Sequence, residues 1–146
     1  MSVFTAGEIA FLVGQRLGRL ATLGRDGAPH VVPVGYRYNP DLDTLDLIGR
    51  GMATSKKLRD ARRDPRVAFV VDAASATGYP QGIEVRGGAE VIERGGEAIR
   101  PGADPQFIRI YAAHIAAWGI DGDPYAGTSR DVGGPTPQLD ERPKAR

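Results

Sequence analysis

The residues best placed to do chemistry lie in GRGMATSKKLRDARRDPR, Gly49 to Arg66. There Arg50, Lys56, Lys57, Arg59, Arg62, Arg63 and Arg66 meet only two acids, Asp60 and Asp64. The stretch carries a net charge of +5 in a chain whose formal net charge is +1. A local cationic segment in a near-neutral chain points to a discrete anion site, not to a surface that coats nucleic acid. Its internal order is that of phosphate capture: glycines at 49 and 51, hydroxyls at Thr54 and Ser55, then lysines at 56 and 57. A helix capped by Thr54 or Ser55 would offer unpaired N–H groups and the positive end of its dipole to an anion, and the lysines would add charge. The same residues also suit a solvated helix face on which Asp60 pairs with its neighbours. Spacing alone leaves both readings open.

Other chemistries find little footing. GRGMAT has two of the glycines of a dinucleotide loop but not the third, and no βαβ unit surrounds it. No GxSxG, HExxH or GxxxxGK[ST] occurs in the sequence, which removes the hydrolase, zinc-peptidase and P-loop readings. The absence of cysteine excludes disulfides and thiolate chemistry. His30 and His114, the only histidines, are too far apart in sequence to suggest a metal site. His30 reads as a rim histidine on a strand and His114 as a surface residue in a bend. Tyr79 and Trp118 read as rim aromatics, with Tyr79 also suited to cover a planar ligand.

These residues need a scaffold. Thr5 and Glu8 fit a capping box, with Phe4 and Ile9 as a staple, predicting a helix from about Ala6 to Gly14 or Gln15. Period-two alternation then takes over in RLATL and in APHVVPVGYRY, where His30, Val32, Val34, Tyr36 and Tyr38 share a face, with GRDG as the turn between them. TLDLI is a third strand, and the cationic segment becomes a short surface helix stopped by Asp64-Pro65. RVAFVVD and IEVRGGAEVIE are strands joined by the loop ASATGYPQG, while FIRIYAAHIAAWGI reads as two strands joined by a bend. The expectation is a mainly β, antiparallel, closed or split barrel of six or seven strands with two small helices. One domain is expected over residues 1–122, followed by a polar tail, 123–146, extended or partly disordered. The N-terminal apolar run is too short and too charged to span a membrane, so a cytoplasmic protein is expected.

Taken together, LATLGRDGAPHVVPVGYRY, SKKLRDARRDPRVAFVVD, IEVRGGAEVIE and FIRIY…HIAAWGID resemble the pyridoxamine 5′-phosphate oxidase-like, FMN-binding split-barrel superfamily. Within it the chain is most similar to the actinobacterial branch of deazaflavin (coenzyme F-420)-dependent oxidoreductases, over about residues 8 to 122. The resemblance implies a homodimer with cofactor sites at its interface and a small-molecule substrate. It implies that Thr54, Ser55, Lys56 and Lys57 hold the cofactor phosphate, with Lys57 matching the family's lysine, and that Arg50, Gly51, Met52 and Arg59 also belong to the cofactor site. It also implies that His30, Pro33, Val34 and Gly35 run beside the ring and that Tyr79 reaches over from the partner chain. The C-terminal arginine and tryptophan pattern of true pyridoxamine-phosphate oxidases is not recognisable, which counts against that activity. Between FMN and the deazaflavin, the surplus cations Arg59, Arg62 and Arg63 suit the carboxylated tail of the latter. The implied activity is hydride transfer from reduced F-420 to an activated double bond. An FMN-dependent oxidoreductase and a non-catalytic cofactor-binding protein are the alternatives.

Overall fold

The computed structural model of the chain describes residues 1–134. Its elements are α1 (Ala6–Gly14), β1 (Leu17–Leu23), β2 (Pro29–Asn39), β3 (Thr44–Ile48), a 3-10 turn (Met52–Thr54), α2 (Lys56–Arg63), β4 (Arg66–Ala74), β5 (Pro80–Ile92), α3 (Gly96–Ile99), β6 (Phe107–Trp118) and β7 (Gly127–Asp131). The first six strands follow the order β3-β2-β1-β4-β5-β6, all antiparallel. β3 pairs again with β6, Leu45 opposite Ile110 and Leu47 opposite Ile108, closing a barrel. β7 lies outside the barrel on the second half of β6, with Ile115 opposite Arg130. The expected antiparallel barrel is thus the fold, and its closure leaves few unpaired edges.

Alternation fills the interior. Leu20, Leu45, Leu47, Phe69, Val71, Ile83, Ile108 and Ile115 are fully buried, at 0–1% exposure. Arg109 and Asn39 meet the buried carboxylate of Asp46, whose Oδ1 also accepts from Thr44. Burial alone would raise the Asp46 pKa, but these donors outweigh it and hold the carboxyl below its usual range. α1 begins with the expected capping box, Thr5 with Glu8. Tyr36 donates from its hydroxyl to Leu12 O at 2.5 Å, binding the helix to β2.

Two expectations need correction. FIRIYAAHIAAW is one unbroken strand, not two joined by a bend. Gly87 of β5 stands opposite Ala112 and Arg86 opposite His114, so Ala113 is an extra residue on β6, a bulge. The bulge reverses the inward parity: Ile108 and Ile110 are buried before it, Ile115 and Ala117 after it. That reversal made the segment look like two strands, and it places His114 within a strand. Gly87 is required there, because a Cβ at this position would collide with the Tyr111 carbonyl. Secondly, Gly127–Asp131 of the expected tail forms β7, so ordered structure runs beyond residue 122. Arg130 holds it there, reaching back to α1 to make a two-pronged pair with buried Glu8 at 2.6 and 3.0 Å. The last twelve residues, 135–146, lie outside the described residues, and with them most of the expected disordered tail.

Candidate functional site

α2 caps one end of the barrel, with Leu58 and Ala61 buried against it. Ser55 is its N-cap, as one of the two expected hydroxyls: Oγ accepts from Leu58 N–H at 3.3 Å and donates to Met52 O at 2.7 Å. Thr54 is exposed and directs its hydroxyl weakly, at 3.5 Å, toward Gly51 O. The approach to the helix turns at Gly51, whose φ of 71° is costly for a residue with a side chain. With Leu58 served by the cap, the backbone N–H groups of Lys56 and Lys57 have no partner within the helix. Helix starts of this kind are suited to anions.

The cations behind it are sorted by Asp60, which is 2% exposed. Lys56 Nζ donates to both of its oxygens at 3.1 and 2.9 Å, Arg63 to Oδ1 at 2.8 Å and Thr22 to Oδ2 at 2.9 Å. Burial alone would raise the Asp60 pKa, but hydrogen bonds from Lys56, Arg63 and Thr22 lower it to about 2. Arg62 pairs with Glu93 at 2.6 Å, and Arg59 donates to Thr54 O at 2.7 Å. These side chains, together with Arg25, line a cationic cleft of about 490 Å³. Lys57 is turned about 100° around the helix from Lys56. Among the described residues its side chain makes no hydrogen bond or ion pair, and partial burial lowers its pKa. Thus Lys56, Arg62 and Arg63 have carboxylate partners, as the solvated-face reading expected, while the Lys57 ammonium has none.

Strand β2 supplies the wall. β3 pairs with it only from Gly35 to Asn39, so Pro29–Val34 pair with β1 alone. Proline lacks an N–H, and its presence at 29 and 33 suits a strand with one unpaired edge. The segment Gly49–Ser55 departs from the end of β3 opposite Gly35, at that same edge. Met52 is fully buried and roots this segment in the core. Val34 and Gly35 are buried, while Pro33 is exposed. His30 faces inward beside Thr22; its buried Nδ1 has no hydrogen-bond partner and stands 3.9 Å from Asp60 Oδ2. The hydrogen bond expected for a rim histidine is therefore missing. Arg50, Gly51, Met52, Thr54, Ser55, Lys57 and the open β2 edge come together at one end of the barrel. Tyr79 does not: it follows the nine-residue strand β4, which leads away from α2, and its ring lies 6.4 Å from that of Tyr125.

A second cleft, also of about 490 Å³, lies on the outer face, with Ala21, Leu23, Pro29 and Ala68 among its walls and Arg66, Arg86 and His114 at its polar side. His114 is held there between Asp131, at 2.7 Å from Nδ1, and Ser129, at 2.7 Å from Nε2.

With this geometry in hand, the comparisons with known proteins are direct. The family described as Pyridoxamine 5'-phosphate oxidase matches residues 8–132. The chain belongs to this family. A 5a,11a-dehydrotetracycline/5a,11a-dehydrooxytetracycline reductase of Streptomyces rimosus is 38% identical over 132 residues, which span 88% of this chain and 93% of that protein. Among solved structures, a conserved hypothetical protein of Mycobacterium tuberculosis superposes with a TM-score of 0.64 at 23% identity, covering 79% of this chain and 84% of that one. An FAD-binding protein of Mycobacterium smegmatis superposes with a TM-score of 0.59 at 21% identity, covering 80% of this chain and 96% of that one. Both likenesses are of fold. The homologous reductase supports an oxidoreductase built on it. Among the described residues no helix is long and apolar enough to cross a membrane.

One feature of the site was anticipated and one was missed. Asp60 pairs with its neighbours as one of the two sequence readings had it, because Lys56 precedes it by four residues and Arg63 follows it by three, both helical neighbours. Asp104, whose Oδ2 accepts from Ala53 N–H at 2.9 Å and fixes the approach loop, leaves no sequence signal at a separation of 51 residues.

Proposed function

We propose that this protein is an F-420-dependent reductase that delivers a hydride to an activated double bond of a small, polycyclic or otherwise planar organic substrate. The observation that carries the reading is the unpartnered Lys57 at the start of α2 beside the open edge of β2. It occurs in a chain 38% identical to a dehydrotetracycline reductase. The residues present fit the cofactor. Lys57 and the N–H groups of Lys56 and Lys57 would hold its phosphate, and the unpaired backbone groups along Pro29–Val34 offer hydrogen bonds to a flat polar ring. When bound, the reduced deazaflavin supplies the hydride; the protein contributes orientation and exclusion of water. His30, with its unpartnered buried nitrogen, is the side chain on this wall able to hold a proton. The cofactor sites lie at the interface of a homodimer, and Tyr79 is presented to the partner's site.

The activity is tested by mixing reduced F-420 and protein with a panel of acceptors bearing conjugated double bonds, dehydrotetracyclines included, and following cofactor oxidation at its visible band. The reading expects oxidation faster than in a protein-free control with at least one acceptor. Rates equal to the control throughout would leave a cofactor-binding protein. Purified protein that is yellow and releases FMN on denaturation would make it an FMN enzyme instead.

A further inference from the structure

Two arginines outside the Asp60 cluster have side chains without polar partners where β2 becomes open. A Cβ added to Gly35 would stand 2.6 Å from Arg100 Nη1, so this guanidinium rests against the β2 backbone at a place that a side chain would occupy. A Cβ added to Gly102 would stand 2.8 Å from Arg50 Nη2, so Arg50 rests against the strap that carries Arg100. The strap is fixed. Asp104 N–H donates to Gly49 O at 3.0 Å, Ala53 N–H donates to Asp104 Oδ2, and Ala103 is buried with Ile48 and Phe107. The strap's own acid, Asp104, is thus engaged by a backbone N–H. Among the described residues neither the Arg50 nor the Arg100 side chain makes a hydrogen bond or ion pair.

This arrangement differs from that of Arg62 and Arg63, the residues the sequence suggested for an acidic tail. Those two have carboxylate partners, whereas Arg50 and Arg100 lie against backbone at Gly102 and Gly35 and have no counter-ion. Guanidiniums free of partners leave their forked donors available for a two-pronged grip on a carboxylate or enolate. We propose that Arg50 and Arg100 form a second anion clamp, separate from the start of α2, that holds an anionic oxygen group of the ligand remote from the cofactor phosphate. The inference rests on the proposed cofactor reading and adds to it a residue, Arg100, and a ligand chemistry. The anionic group has two sources, the glutamyl tail of F-420 or an acidic substrate.

The test uses the full chain with Arg100→Gln, and Gly35→Ala as a second variant that displaces the guanidinium without removing its charge. Affinities for F-420 and FMN are measured by fluorescence titration, and the KM of an enolic acceptor at saturating F-420 by cofactor oxidation. A loss of roughly 10- to 100-fold for F-420 in both variants, with FMN within twofold, assigns the clamp to the tail. Unchanged cofactor affinities with a KM raised to a similar degree assign it to the substrate. Equal losses for F-420 and FMN would show that Arg100 serves the phosphate, which overturns a second site, as would values within twofold throughout. Lys57→Ala separates the two readings. If it weakens both cofactors while Arg100→Gln changes neither cofactor affinity nor the acceptor KM, the clamp alone fails; if wild-type protein binds neither cofactor, the cofactor reading fails first. Arg100 is exposed and unpartnered, so thermal melts of its variant are expected to match wild type.

Discussion

At the scale of residues, Asp60 decides which cations of the basic run remain available. Its carboxylate engages Lys56 and Arg63, and this leaves Lys57 as the unpaired ammonium to which the proposed function assigns the phosphate. Lys57→Ala is expected to weaken cofactor binding by about 1–3 kcal/mol, the worth of a charge-assisted hydrogen bond, with the melting temperature unchanged. Because burial lowers the Lys57 pKa, its charge is lost at a lower pH than that of an exposed lysine. Cofactor affinity should therefore begin to fall below the usual lysine range as pH rises, and Lys57→Arg should flatten the fall; an unchanged profile would place the phosphate elsewhere. Asp60 gives the opposite sign. Its folded pKa of about 2 is below its unfolded value, so the stability it confers is present above about pH 4 and lost as pH falls toward 2. Wild-type protein should lose on the order of 2 kcal/mol across that window, and Asp60→Asn should remove that part of the slope in urea titrations. The motif as far as Ser55 and Lys57 was legible because capping and charge are local. The division of labour between Lys56 and Lys57 was not, since it depends on Thr22 and on which face of α2 meets the barrel.

At the scale of elements, the chain shows where periodicity informs and where it misleads. α1 and the first four strands follow from a capping box and uninterrupted alternation. β6 misled because a single extra residue, Ala113, reverses its parity, and such a bulge is visible only through the register of β5. β7 was overlooked because its sequence, GTSRD, has no apolar face. Beyond its ladder with β6 and the His114 contacts, one arginine meeting Glu8, 122 residues away, ties it to α1. Arg130→Ala would leave Glu8, 1% exposed, as an uncompensated buried charge. It is expected to cost roughly 3 kcal/mol in urea unfolding. The double variant Arg130→Ala with Glu8→Gln should recover part of that loss. A loss no larger than an exposed ion pair would give, below about 1 kcal/mol, would show that β7 is not held in this way.

At the scale of the whole molecule, the closed barrel leaves an open edge along Pro29–Val34 of β2. The basic segment, the strap carrying Arg100 and the helix start all gather around it. The outer face beside it exposes Val31 at 65% and Leu17 at 58%, apolar side chains suited to a second copy of the chain. Sedimentation is expected to give twice the 15.6 kDa chain mass. Val31→Glu should shift the protein to monomer and weaken cofactor binding in the same variant. A monomeric wild type that binds cofactor fully would remove the interface from the account. Barrel class was readable from the sequence because it rests on strand pattern. Substrate and partner contacts were not, because they depend on loops and faces assembled from distant segments. The central claim, that this opening is a flavin-type cofactor site with a preference for the deazaflavin, is tested most directly by titrating the protein with F-420 and FMN side by side and following fluorescence. The account predicts saturable binding of both, tighter for F-420 by at least tenfold, with Lys57→Ala weakening each. Failure to bind either, or affinities for both that ignore the loss of Lys57, would contradict it.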